Sequence, residues 1–217
     1  MSTSAYVHFP WCLQKCPYCD FASATIRRPE VPHTQYADAV LRELELRASV
    51  TGTGPLESVF FGGGTPSLWE PRELGRVLRA IRNAFESQTE DLEITVECNP
   101  SSLDQRRAAE LREAGVTRLS IGVQSLDAQR LRYLGRLHDG PGALAAVRGA
   151  LAEVPRVSAD LMFGMPEQTP DEFLAEVAQL LGQQLAGGDQ EAQGDRQVET
   201  ARILAQVGGS EIDHGAA

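Results

Sequence analysis

No apolar run in this sequence approaches the ~20 residues that a membrane-crossing helix needs. Its opening, Met1-Ser2-Thr3-Ser4-Ala5, also lacks the positive charge and apolar stretch of a secretion signal. Positive charge is short throughout: 20 Lys and Arg against 30 Asp and Glu give a formal net charge of −10. That is the wrong sign for a phosphate backbone, so nucleic acid is excluded as a partner class. Cysteine is scarce at four, and three of the four crowd into Cys12–Cys19, a spacing that pairs badly into disulfides. These absences predict a soluble, cytoplasmic protein with reduced thiols and no transmembrane segment. Its 217 residues suffice for one full domain, or one domain with an appendage.

What the sequence does have is Phe9-Pro10-Trp11-Cys12-Leu13-Gln14-Lys15-Cys16-Pro17-Tyr18-Cys19-Asp20-Phe21. Three thiolates spaced Cys-x-x-x-Cys-x-x-Cys can surround one inorganic centre from a single loop. Pro10 and Pro17 favour a folded-back path, because each fixes its own φ and turns the preceding residue away from helix. Four irons held by three cysteines leave one iron open to a small molecule, which makes a site for chemistry. The alternative is a zinc site, with His8 or His33 recruited as fourth ligand. Cys98 lacks the spacing to join the loop and reads as a small buried hydrophobe. Lys15 reads equally as a charge partner for the thiolates or as a solvated loop lysine.

Along the chain, short β-prone runs alternate with amphipathic segments. Strands are predicted at Tyr6–Phe9, Ser58–Phe61, Leu92–Glu97, Arg118–Val123 and Val157–Phe163, with helices between them and a last helix capped by Asp171. Such alternation specifies parallel βαβ units, and right-handed crossovers bring all strand C-terminal ends to one side. Those ends carry the three cysteines, Gly62-Gly63-Gly64-Thr65-Pro66, Glu97 and Gln124, with Asp160 inside the last strand. The expected fold is α/β, an incomplete parallel (β/α) barrel over residues 1–182. The glycine triplet lets backbone approach a ligand closely, though such triplets also serve as plain tight turns. No Gly-Lys-Ser/Thr follows, so it is not a phosphate loop.

With Tyr18 directly before its last cysteine, the loop resembles that of the radical S-adenosylmethionine (SAM) superfamily. The resemblance implies a [4Fe–4S] cluster on Cys12, Cys16 and Cys19, whose open iron takes the amino and carboxylate groups of SAM. It implies that Gly63, Gly64 and Thr65 belong to the glycine motif that bonds the methionine amino group. It also singles out Tyr6, Tyr18, Glu97, Gln124, Arg136 and Asp160 as cofactor contacts. From the residues alone, Tyr6 reads as well as a core aromatic, and Arg136 with Asp160 as a structural ion pair.

Further stretches narrow the likeness to the family similar to oxygen-independent coproporphyrinogen III oxidase, and within it to the HemW-type heme chaperone branch. They are Tyr6–Pro10, Phe61–Leu68, Arg118–Ser125 and Asp160–Thr169. The oxidase's motif has a further cysteine where this chain has Phe21, which favours the chaperone branch. Heme or a porphyrin as ligand, heme-accepting respiratory enzymes as partners, and the alternative of an anaerobic coproporphyrinogen III dehydrogenase all rest on that resemblance. From about Gln183 the chain departs from the family, whose members continue into a C-terminal domain with a His-Asn-x-x-Tyr-Trp signature. Residues 183–217 are polar and glycine-interrupted, and are expected to be a disordered or weakly helical tail, as in a truncated or frame-shifted product.

Overall fold

The computed structural model describes residues 2–47, 54–186 and 203–205. Strand β1 (Thr3–Phe9) passes through Pro10 into the short β2 (Trp11–Cys12), which pairs in parallel with β3 (Ala24–Thr25) beyond the cysteine loop. There follow α1 (His33–Arg47), β4 (Leu56–Gly63), α2 (Pro71–Asn83), β5 (Gln88–Cys98), α3 (Gln105–Glu113) and β6 (Arg118–Gln124). The described chain ends with α4 (Ala128–Tyr133), α5 (Gly140–Glu153), β7 (Arg156–Phe163), α6 (Pro170–Ala186) and β8 (Ile203–Ala205).

The main sheet runs β1-β4-β5-β6-β7-β8, with every neighbouring pair parallel. Strictly sequential order means that each crossover steps in the same direction, so the helices gather on one face and the sheet curls toward a barrel. A doubly wound sheet would reverse its order partway. The expected open, incomplete parallel barrel is what forms.

Alternation along each strand separates the two faces. Val59 and Phe61, Ile94 and Val96, Leu119 and Ile121, and Val157 and Leu161 are buried in the core. The opposite, lumen face is polar. Below the mouth, Glu93 pairs with Arg156 at 2.7 Å, and Arg118 donates to Thr95 Oγ1 (3.4 Å) and Ser158 Oγ (3.0 Å). The buried Arg118, Thr95 and Ser158 bond one another across three strands, which keeps their desolvation tolerable.

Several helix ends differ in detail from the sequence expectation. Asp171 lies in the first turn of α6, and the cap is Thr169: Thr169 N donates to Glu172 Oε2 (2.9 Å) while Glu172 N donates to Thr169 Oγ1 (3.3 Å). That reciprocal pair is a capping box. Gly140-Pro141 opens α5, with Asp139 accepting from Gly142 N (2.8 Å). Helix α6 continues through Ala186, so a boundary at residue 182 falls inside it; Gln183 Nε2 bonds Gln179 O (2.8 Å), one turn back. Ile203–Ala205 is a strand rather than helix, because it finds β7 as a pairing edge, with Leu161 opposite Ile203. The rest of the expected tail, 187–202 and 206–217, lies outside the described residues. Among the described residues no helix is long and apolar enough to cross a membrane.

Candidate functional site

An aromatic cluster anchors the start of the cysteine loop. Trp69 is fully buried and packs on Phe9 (5.6 Å between ring centroids) and Tyr36 (5.0 Å), and Tyr36 packs on Trp11 (4.9 Å). Tyr36 also donates to His8 O, and Trp69 Nε1 donates to His33 O at 3.0 Å. Backbone bonds then fasten both limbs of the loop. Gly64 N donates to Phe9 O (2.6 Å), Thr65 N to Trp11 O (2.8 Å), Ala24 N to Pro10 O (2.8 Å) and Ile26 N to Cys12 O (2.9 Å). The first two need the glycine triplet, since an added Cβ on Gly64 would lie 2.5 Å from Trp11 O.

The loop faces a cleft of about 520 Å³ at the C-terminal ends of the strands, within the size range of small-molecule sites. Its walls include Cys12, Cys16, Cys19, Tyr18, Gly63, Gly64, Thr65, Glu97, Gln124, Arg136 and Asp160. Gly63, at φ +105°, donates its N–H to Glu97 Oε2 (3.1 Å). Thr65 Oγ1 lies 3.4 Å from Cys12 Sγ. Arg136 Nη1 points at Cys16 Sγ (3.6 Å) and Tyr18 Oη (3.4 Å), its Nη2 donates to Gly122 O, and its Nε is buried without a partner. Burial, opposed by Arg136, pushes the Tyr18 phenol well above its ordinary range, so it stays protonated. Asp160 Oδ2 accepts from Ser120 Oγ at 3.3 Å.

Tyr6 is the exception among the expected contacts. It does not line the cleft; it sits lower on β1, 59% exposed, stacked on Phe60 (6.2 Å) with its hydroxyl 2.9 Å from His8 Nδ1. The zinc alternative loses both its histidines. His8 Nε2 lies 2.7 Å from Ala22 O, so both its ring nitrogens are engaged, while His33 Nδ1 accepts from Glu70 N (3.0 Å). Among the described residues, no three His, Cys, Asp or Glu side chains are grouped to hold a single metal ion. Cys98 reaches the cleft wall, but its thiol donates to Val96 O (3.5 Å) and burial pushes its pKa up to about 12. Lys15 Nζ donates to Phe21 O at 3.3 Å, within its own loop.

Sequence reasoning missed the tie from His8 to Ala22, which closes the far limb of the loop, and the lining residues Asn99, Ser120, Gly122 and Met162. The period-2 alternation of β6 and β7 could have found Ser120, Gly122 and Met162. The His8 tie is non-local and leaves no pattern in sequence.

The donor set suits a sulfur-rich cofactor joined to a zwitterionic nucleotide: three free thiols share the cleft with carboxylates, a carboxamide and a guanidinium whose Nε has no partner. Comparison with known proteins agrees. The Radical SAM superfamily, whose members use a [4Fe–4S] cluster and SAM, matches residues 6–180. Heme chaperone HemW of Escherichia coli K12 is 38% identical over 179 residues, covering 82% of this chain and 47% of its own length. The Bos taurus mitochondrial radical S-adenosyl methionine domain-containing protein 1 is 41% identical over 177 residues, covering 81% and 39%. Among solved structures, coproporphyrinogen III oxidase (HemN) from Escherichia coli superposes with a TM-score of 0.72 at 27% identity, covering 84% of this chain and 42% of that one. The chain thus spans about half the length, or less, of the curated relatives it matches. With a family match over residues 6–180, which takes in most of the sheet and its helices, this chain belongs to the radical SAM superfamily.

Proposed function

We propose that the cleft binds a [4Fe–4S] cluster through Cys12, Cys16 and Cys19 with SAM beside it, and that the protein is a heme chaperone, binding heme and passing it to respiratory enzymes. The observation that carries the cofactor reading is the meeting of all three thiols, Gly63, Gly64, Thr65, Glu97, Gln124, Arg136 and Asp160 on one 520 Å³ cleft. Heme enters through the relatives named heme chaperone HemW.

In this reading each residue has a chemical task. Cys12, Cys16 and Cys19 would hold the cluster, which when bound would supply one-electron reduction of the sulfonium cofactor. Arg136, next to Cys16 Sγ, offsets thiolate charge and has a planar fork for a carboxylate. Glu97, held by Gly63 N at the end of β5, accepts from ribose hydroxyls. The protonated Tyr18 accepts from Arg136 and adds no negative charge near the sulfurs.

The test is anaerobic reconstitution followed by EPR with and without SAM, and then heme titration. Expected are a cluster signal that shifts with SAM and a Soret band that saturates. A signal indifferent to SAM refutes the cofactor reading, and absence of a Soret band refutes the chaperone reading. The structural likeness to coproporphyrinogen III oxidase supports a second reading, oxidative decarboxylation of porphyrinogen propionates. It requires vinyl product from coproporphyrinogen under reducing, oxygen-free conditions, and an intact cluster that yields none rules it out.

A further inference from the structure

Gln124 is one of two non-glycine residues with positive φ among the described residues, at +69°. A side chain with a Cβ holds that conformation only where its surroundings impose it, and such outliers gather at ligand-binding positions. Here the surroundings can be named. Ser125 N donates to Val123 O at 2.9 Å, closing a three-residue turn around Gln124; a positive central φ is the rare, strained hand of that turn. Pairing with β7 skips a residue at this point, since Gly122 faces Asp160 and Gln124 faces Leu161. An extra residue in one strand re-aims the side chains next to it.

The turn is gripped from both sides. Before Gln124, the Val123 carbonyl accepts a second bond, from His138 Nε2 at 3.0 Å. A carbonyl can only accept, so Nε2 carries a hydrogen; burial, which holds the pKa down to about 4, favours the neutral ring. After Gln124, the buried Glu176 of α6 takes Ser125 Oγ (3.0 Å) on Oε1 and Leu126 N (3.0 Å) on Oε2. Arg130 of α4 balances that carboxylate at 3.1 Å. The Gln124 amide then lies against Gly122, where an added Cβ would come within 2.8 Å of Gln124 Nε2 and 3.6 Å of Arg136 Nη2.

We infer that His138 and Glu176 are positioning residues, which hold the strained turn closed so that the Gln124 carboxamide faces the cleft beside Arg136 before any ligand arrives. This rests on the reading of the cleft as the SAM site. Fixing the side chain in advance spares the ligand the cost of ordering it.

Two measurements on the full chain test this. The first needs no cofactor: amide hydrogen exchange at Ser125. His138→Ala should speed it, and His138→Gln, whose amide can donate to the same carbonyl, should restore protection; unchanged exchange in His138→Ala overturns the brace. The second is equilibrium dialysis of radiolabelled SAM against the anaerobically reconstituted protein, with iron content and melting temperature as controls. His138→Ala should raise Kd about tenfold, the loss of about one well-made hydrogen bond. In a Gln124→Ala background the same change should cost at most about twofold, because coupled residues are not additive. Equal losses in both backgrounds mean a general structural role and overturn the proposal. If Gln124→Ala alone leaves SAM affinity unchanged, the cofactor reading of Gln124 fails, and the proposal with it, whatever the exchange data show. Should His138→Ala not fold, Glu176→Gln takes its place in the same cycle, with the same outcomes.

Discussion

Replacing Gly64 by alanine adds one methyl group at the tightest point of the site. The new Cβ would stand 2.5 Å from Trp11 O and 2.8 Å from both Trp11 C and Trp11 N, all of them backbone atoms. Reaching ordinary van der Waals contact, which starts at 3.4 Å, requires an opening of about 0.9 Å. Trp11 cannot yield cheaply. Its flanks are tied by Ala24 N to Pro10 O and Ile26 N to Cys12 O, and its ring is wedged against Tyr36 and Phe9. Opening the gap loses the Thr65 N to Trp11 O bond, at about 1 kcal/mol, on top of about 1–3 kcal/mol for overpacking. At about 3 kcal/mol in all, a chain of this size should melt about 6–12 °C lower. The displaced segment carries Cys12, so iron retained after reconstitution should fall as well. Gly182 on α6 is the control: an added Cβ there meets nothing within 4 Å, and alanine should stabilise by about 0.5–1 kcal/mol. The assays are thermal denaturation of the apoprotein and iron and sulfide analysis. A Gly64→Ala protein that melts within about 2 °C of the parent and holds a full complement of iron refutes the reasoning.

Serine in place of Cys12, Cys16 or Cys19 should each abolish stable iron binding, whereas Cys98→Ala should keep it and lose only about 1–2 kcal/mol of stability, as read by metal analysis and urea denaturation. Trp69→Ala should destabilise by about 3–5 kcal/mol and Trp69→Phe by clearly less, because the ring fills a fully buried site between Phe9, Tyr36 and Phe61. For pH, the sign follows from His138. Its folded pKa, lowered to about 4, lies below the ordinary 6.5, so the unfolded chain takes up a proton that the folded one refuses. That contribution is complete above pH 6.5 and is lost as pH falls toward 4. Discounted for partial exposure it is about 1–2 kcal/mol, and His138→Gln should flatten the corresponding stretch of a stability–pH curve measured by urea titration.

The sheet was legible wherever one face of a strand is apolar and the other polar, as in Leu92–Glu97 and Arg118–Val123. The extension of β1 back to Thr3 was not, because Thr3, Ser4 and Ala5 carry no hydrophobic signal and are drawn out by pairing with β4. Strands β2 and β3 pair over two residues each, too few for any pattern. Thr169 and Glu172 spell a capping box in the sequence, and Asp171 competes with it as a cap because acidic residues are common in first turns. In the site, Gln124 could be placed at a strand end, but its turn depends on His138 and Glu176, which are 14 and 52 residues away in sequence. Tyr6 lies three positions back along β1 from Phe9, at about 3.3 Å per position, so it falls outside the cleft lining while its ring lies beside Gly62.

The ties on both limbs of the cysteine loop bear on how this protein ages. Phe9, Pro10, Trp11, Cys12 and Ala22 are all hydrogen-bonded to neighbouring backbone or to His8 without any help from metal. If the loop binds a cluster as proposed, oxidative loss of that cluster would leave the loop's backbone ties in place. A loop held in that way should accept iron and sulfide again, which repeated removal and reconstitution on one sample would read.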